Sequence, residues 1–191
     1  QFGQRLLEEY LHFGGYPRVV LAETMLEKIA SIRDIYQSYI EKDIALLLRV
    51  ERIDVFSKLV KILAHQSGKL LNISELSRTL GASIPTINEY LWYLEKTFII
   101  HRVSPFHRNG RKEMKKSPII YSTDLGLQNF AAGVCGKQIP PERYGWLFQN
   151  AVYNAVYTTQ QPTGASVHFW RTADGAEVDI VIDQGDDIIP V

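Results

Sequence analysis

The chain has 191 residues, 46% of them hydrophobic and 22% charged, and its 21 basic and 21 acidic side chains cancel to a formal charge of zero. That length allows one large domain or two small ones with a real core. No apolar run approaches the roughly 18–20 residues of a membrane span, so no membrane partner is expected, and the balanced charge means that any attraction to nucleic acid has to be local. The single cysteine, Cys135, excludes an internal disulfide and suits a reducing, cytoplasmic setting. His12, His65, His101, His107 and His168 show no spacing that gathers ligands on one metal, and no GxxxxGK[ST] cradle for a nucleotide phosphate occurs, so no cofactor is expected within these residues. The chain opens at Gln1 inside an amphipathic run with no basic-then-apolar leader, and its N-terminus reads as a cut.

Arg5 to Phe13 is expected to be helical, and Gly14-Gly15-Tyr16-Pro17 to break it, because paired glycines are poor in helices and the residue before proline is pushed out of the helical region. Ile29, Ile32, Tyr36, Tyr39, Ile40, Ile44 and Leu47 then recur at three- and four-residue steps, which predicts a long amphipathic helix. Three shorter helices follow. Val55 to His65 turns Phe56, Leu59, Val60 and Leu63 inward and ends at Ser67-Gly68. In "NISELSRTLG", Asn72 or Ser74 caps, Ile73, Leu76 and Leu80 face in, and Gly81 stops the helix. In "SIPTINEYLWYLEKTFII", Ser83 caps, Pro85 sits in the first turn, and the inward stripe is Ile84, Ile87, Leu91 and Leu94.

A short helix, a tight turn beginning with glycine and a longer helix form a helix-turn-helix pattern. Phe98 to Val103 is β-prone, Asn109-Gly110 is a hairpin signal, and Ile119 to Ser122 can return as the partner strand, which makes the unit a winged helix. Asp124 caps a short helix through Phe130, and Gly133 to Pro141 is a loop. A helix from about Arg143 to Thr158 is expected to turn Phe148, Val152, Ala155 and Val156 inward. Strands at Val167–Arg171, Glu177–Ile182 and from Ile188 onward complete the reading. The fold class is therefore α+β, with boundaries at 1–52 (helical linker region), 53–132 (winged helix-turn-helix) and 133–191 (an α/β unit).

Two sets of residues carry candidate chemistry. The connection "HRNGRKEMKK" holds Arg108, Arg111, Lys112, Lys115 and Lys116 against a single Glu113. These are candidate phosphate contacts to double-stranded DNA, while Thr86 and Asn88 on the third helix are candidates to reach a phosphate and an adenine. Glu89 on the same face opposes that use. Glu177 and Asp179 lie two apart on a strand, so both leave one face, which suits a magnesium ion. Acids alternating on an edge strand also discourage aggregation, and both readings stay open. The unpaired edge of the last strand makes a homo-oligomer a further expectation, and Tyr36, Tyr39, Tyr90 and Tyr93 offer a face to a protein partner.

Taken in order, "GGYPRVV", "YIEKDI", "LNISELSRTLGASIPTINEYLWYLEKTFIIHRVSPF", "KSPIIYSTDLGL" and "FWRTADGAEVDIVI" resemble the C-terminal region of prokaryotic AAA-type ATP-binding proteins. In that family a P-loop ATPase domain precedes a winged helix and a domain of unknown function similar to PD-(D/E)xK nucleases. The resemblance runs from about Gly14 to Val191. It implies a restriction-endonuclease-like unit at 133–191, truncated before the acid and lysine of a "PVEVK" continuation, and ATP and magnesium as cofactors of the full-length protein, whose ATPase domain would be a partner of these residues. It places Asp179 at the metal-binding acid with Glu177 as companion, and Gln149 where the family often has glutamate. These residues are then a non-catalytic DNA- or partner-binding module. The enzyme alternative is a magnesium-dependent nuclease.

Overall fold

The computed structural model describes residues 2–44, 50–107, 117–172 and 174–191. In chain order they form α1 (Phe2–Phe13), α2 (Pro17–Val20), α3 (Met25–Ile35), a π-helical segment (Tyr36–Ile44), α4 (Ile53–Gln66), α5 (Ile73–Leu80), α6 (Ile84–Lys96), β1 (Ile100–Val103), β2 (Ile119–Ser122), α7 (Leu125–Ala131), α8 (Pro141–Gln160), a 3-10 turn (Gln161–Thr163), β3 (Ser166–Arg171), β4 (Glu177–Asp183) and β5 (Ile188–Pro190). The class is α+β, with two small antiparallel sheets among the described residues, β1-β2 and β3-β4-β5. No described helix is long and apolar enough to cross a membrane.

Local chemistry sets the helix ends. Thr24 and Glu27 form a reciprocal capping box at α3. Asn72, Ser83 and Asp124 each accept the third backbone N–H of the helix that follows, and Gly81 closes α5 at φ 59°, in the left-handed region. The predicted single helix from Ile29 is instead α3 followed by π winding from Tyr36, and Leu47 lies outside the described residues. The wider winding keeps Tyr36 and Ile40 in the core while Tyr39 donates its hydroxyl to Thr97 O at 2.8 Å.

One core runs from Phe13, Val19, Ile32, Tyr36 and Ile40 through α4, α5 and α6 to Ile100, Ile120 and Leu127, so the N-terminal helices share their apolar interior with these three. A second joins Val103, Ile119 and Tyr121 of the hairpin to Tyr153 of α8 and to Phe169, Ile180 and Ile182. Strand β2 is therefore buried on both faces, as an apolar run such as Ile119-Ile120-Tyr121 requires. His101 packs on Tyr157 in a tilted contact, 4.1 Å between centroids, and burial pulls its imidazole down to about 4, so it packs as a neutral ring.

Two predicted faces are corrected. On α6, Ile84 is 46% exposed and Tyr90 takes its place in the core, against Phe56 and with its hydroxyl accepting from Arg52 N. With Tyr36 and Tyr90 both buried, the tyrosine face offered to a partner does not form. On α8, Phe148 and Ala155 point to solvent, and the buried side is Leu147, Asn150, Ala151, Tyr153 and Asn154. Backbone pairing turns this helix. Asn150 Oδ1 accepts from Ser122 N at 2.9 Å and from Ser67 Oγ at 2.7 Å, and its Nδ2 donates to Ser122 O at 2.8 Å. The amide thus completes the hydrogen bonding of the last residue of β2, and Asn154 Nδ2 donates to Ser122 O and Thr123 O at 3.0 Å each.

The Gly14-Gly15 break has a second role. Gly14, at φ 73°, leaves room for the Asp124 carboxylate, which accepts from Gly15 N at 2.8 Å while capping α7. Burial pushes the Asp124 acid up, and the N–H groups of Gly15, Leu127, Gly126 and Tyr16 pull it back down.

Candidate nucleic-acid interface and acidic cavity

Behind α5 and α6, Leu70 forms an antiparallel bridge to Ile119 and Leu71 N donates to Pro118 O at 2.7 Å, so the segment after α4 adds a short third strand beside β2. The hairpin pairs Ile100 with Ser122 through Val103 with Ile119. Both ends of its long connection are fixed on the C-terminal unit. Phe106 N donates to Phe169 O at 2.6 Å, Pro105 bridges Phe169, and Ile119 packs in the core that contains Phe169. Arg108, Arg111, Lys112, Lys115 and Lys116, with the Asn109-Gly110 turn, lie outside the described residues.

Thr86 and Asn88 are on α6, half-buried and engaged locally. Thr86 N donates to the Ser83 hydroxyl at 3.2 Å, the two hydroxyls are 2.8 Å apart, and Asn88 Nδ2 donates to Ile84 O at 3.1 Å. Each keeps spare hydrogen-bonding capacity, since a hydroxyl and an amide have more than one donor or acceptor site. Glu89 accepts the Tyr93 hydroxyl at 2.6 Å, which pushes that phenol up and fixes a negative group beside them.

Glu177 and Asp179 open together, as the strand period predicts, into a cavity of about 240 Å³ that Gln149 also lines. Sequence reasoning missed its other chemical groups, which are Lys69 from the turn after α4, Trp146 of α8, and Trp170 and Arg171 of β3. Arg171 stands opposite Glu177 in the β3-β4 register, Nε to Oε2 at 3.5 Å, a pairing that the short turn between the strands encodes. Lys69 Nζ sits 5.4 Å from the centre of the Trp146 ring. A Cβ on Gly68 would come within 2.8 Å of that ring, so glycine there lets the turn after α4 approach α8. Nothing in the local sequence around Lys69 signals that placement. The phenol of Tyr121, in the core behind the hairpin, is pushed up by burial and then by the Asp179 charge.

Among the described residues no three His, Cys, Asp or Glu side chains gather as a metal site. Burial pushes the Cys135 thiol up to about 11, with Asp124 adding to it, which disfavours the thiolate, and the residue packs against the main core.

An α+β chain joining α4, α5, α6 and the β1-β2 hairpin to a small three-stranded sheet matches two family models. Residues 4–138, most of the chain, match the domain of unknown function DUF8612, and the chain belongs to that family. Residues 144–191 match a second domain of unknown function, DUF4143, which is found in AAA-ATPase-associated regions. Among curated proteins the chain is similar to an uncharacterized protein of Haemophilus influenzae, 28% identical over 98% of this chain and 45% of that protein. It is also similar to uncharacterized proteins Mb2031c of Mycobacterium bovis and Rv2008c of Mycobacterium tuberculosis, each 28% identical over 89% of this chain and 38% of theirs. The chain thus spans less than half the length of these relatives. No solved structure matches it.

Proposed function

We propose that the chain is the non-catalytic DNA-binding module of a longer AAA-type ATP-binding protein, with a winged helix at its centre and a restriction-endonuclease-like unit behind it. The observation that carries this reading is the arrangement of α4, α5, α6 and the β1-β2 hairpin, closed by the Leu70 bridge to Ile119. The connection between β1 and β2 contains Arg108, Arg111, Lys112, Lys115 and Lys116. Phosphate contacts of this kind position a protein without reading bases. The local tethering of Thr86 and Asn88 and the presence of Glu89 favour sequence-independent grip over base readout on α6. In the whole protein an ATPase domain binding ATP and magnesium would move this module.

Titrating the chain into a fluorescein-labelled random-sequence duplex, and following anisotropy at several salt concentrations, tests the reading. About three to five phosphate contacts give a log-log salt slope near −3 to −4.5. Changing the five connection cations to alanine should abolish that slope and the binding. A duplex that is ignored at low salt sinks the DNA reading and leaves a protein-binding adaptor.

A second reading, a magnesium-dependent nuclease in the longer protein, is favoured by the shared opening of Glu177, Asp179 and Gln149 into one cavity. Two carboxylates match what magnesium takes from a protein when substrate phosphates fill out its shell, though Arg171 competes for Glu177. The ion would supply charge stabilisation at the phosphate, with Asp179 as its main ligand here. Asp179→Ala in the full-length protein should then remove all cleavage of a plasmid substrate, and undiminished cleavage would refute this role.

A further inference from the structure

Four apolar side chains stand in solvent at the corner between α2 and α3. Val20 is 55% exposed, Leu21 81%, Met25 56% and Leu26 80%, and no two of them are more than six residues apart. Leu21 and Leu26 are the most exposed large apolar residues among those described. Single exposed apolar residues are ordinary, whereas a group of them in one place, rimmed by polar residues such as Arg18, Glu23 and Glu27, marks an interaction surface.

The corner is also held rigid. Helix α2 is four residues long and buries one side chain, Val19. Lys28 of α3, itself 8% exposed, donates from Nζ to Val19 O at 3.0 Å and to Val20 O at 3.4 Å, and pairs with Glu9 of α1 at 2.8 Å. An ammonium is costly to bury unless it is paired and hydrogen-bonded, and here its partners are the end of α2 and the flank of α1. Arg18 reaches Asp34 of α3 at 3.1 Å, and the Thr24–Glu27 capping box fixes the first turn of α3. Side chains on so fixed a backbone have little freedom left to lose when they are covered.

An apolar corner of this kind fits a second copy, an unrelated protein, or the rest of a longer protein, and the relatives favour the last. The chain aligns over 89–98% of itself with proteins of which it covers 38–45%, so more than half of each relative lies outside the match. The second family match is found in AAA-ATPase-associated regions. An ATPase domain that moves this module has to grip it where the backbone does not yield, and Val19 and Ile32 carry the corner into the main core.

We infer that the α2-α3 corner docks the ATPase domain of the longer protein, with Val20, Leu21, Met25 and Leu26 entering an apolar hollow on that domain. The inference rests on the AAA-type reading above and is independent of DNA contact.

Amide hydrogen exchange, measured on the 191-residue chain and on the full-length protein, tests it. Exchange over residues 17–28 should be at least about tenfold slower in the full-length protein, the factor that withdrawal of one leucine from water supplies. Leu21→Asp with Leu26→Asp should return the full-length rate to that of the shorter chain, while leaving the urea midpoint of the shorter chain unchanged, since both side chains are already in solvent. Leu21→Met with Leu26→Met, which keeps the apolar surface, should retain the protection. Equal exchange in the two proteins, or protection that survives the aspartate pair, overturns the inference and leaves the AAA-type reading standing. A dimer of the shorter chain in analytical ultracentrifugation that the aspartate pair dissociates assigns the corner to a second copy and overturns it as well. A full-length protein that hydrolyses no ATP sinks the AAA-type reading and this inference with it.

Discussion

Gly126→Ala is expected to destabilise the chain by about 3 kcal/mol or more, read as a fall in the urea midpoint at unchanged slope. Gly126 lies in the first turn of α7, where the carbonyl of Phe13 at the end of α1 comes so close that an added Cβ would overlap its oxygen. The oxygen belongs to backbone and the Cβ position is fixed by it, so neither can rotate away. Relief requires α1 to lift off α7, and that movement breaks the bonds from Asn129 Nδ2 to Leu11 O at 2.9 Å and His12 O at 3.0 Å. It also exposes Leu11, which is fully buried against Leu125 and Leu147. Burial of one leucine contributes about 1.5–3 kcal/mol, and overpacking adds about 1–3. Gly3→Ala, also in α1 but with open space around its Cβ, is the control and should be neutral or slightly stabilising. A Gly126→Ala change under about 1 kcal/mol would mean that α1 does not dock as described.

Asn150→Ala is expected to lower stability by about 2–4 kcal/mol, because it leaves the buried backbone N–H of Ser122 without its acceptor and the Ser67 hydroxyl with only its longer one, Ile120 O at 3.5 Å. Phe148→Ala, which removes far more apolar surface from the same helix, should cost less than about 1 kcal/mol, since the phenyl ring is 45% exposed. The order of these two effects reports the rotation of α8. If Phe148→Ala is the more damaging, the helix is turned the other way and the cavity beside Gln149 does not exist in this form.

That pair of residues also shows where sequence reading stopped. Periodicity counts apolar side chains, and on α8 it selected Phe148, Val152, Ala155 and Val156. The helix is oriented by Asn150 and Asn154, whose amides stand in for a missing strand partner, and polar residues with buried partners are invisible to an apolar stripe. Signals with local causes were legible. The caps at Asn72, Ser83 and Asp124, the Gly81 stop and the hairpin strands all depend on neighbours within a few residues. The same division holds at the site. Glu177 and Asp179 share a face because a strand alternates, whereas Lys69 and Trp146 meet through packing between segments far apart in sequence.

The docking of α1 bears on how the protein is made. Asn129, which holds the end of α1, lies 118 residues after Leu11, and Asp124 reaches back 109 residues to Gly15. At roughly 5–20 residues per second, a ribosome needs on the order of 6–24 s to supply those partners. Throughout that interval Leu11 of the nascent α1 lacks Leu125 and Leu147, the residues it packs against in the folded chain. A helix that waits this long for its partners is a stretch a chaperone would be expected to shield during synthesis.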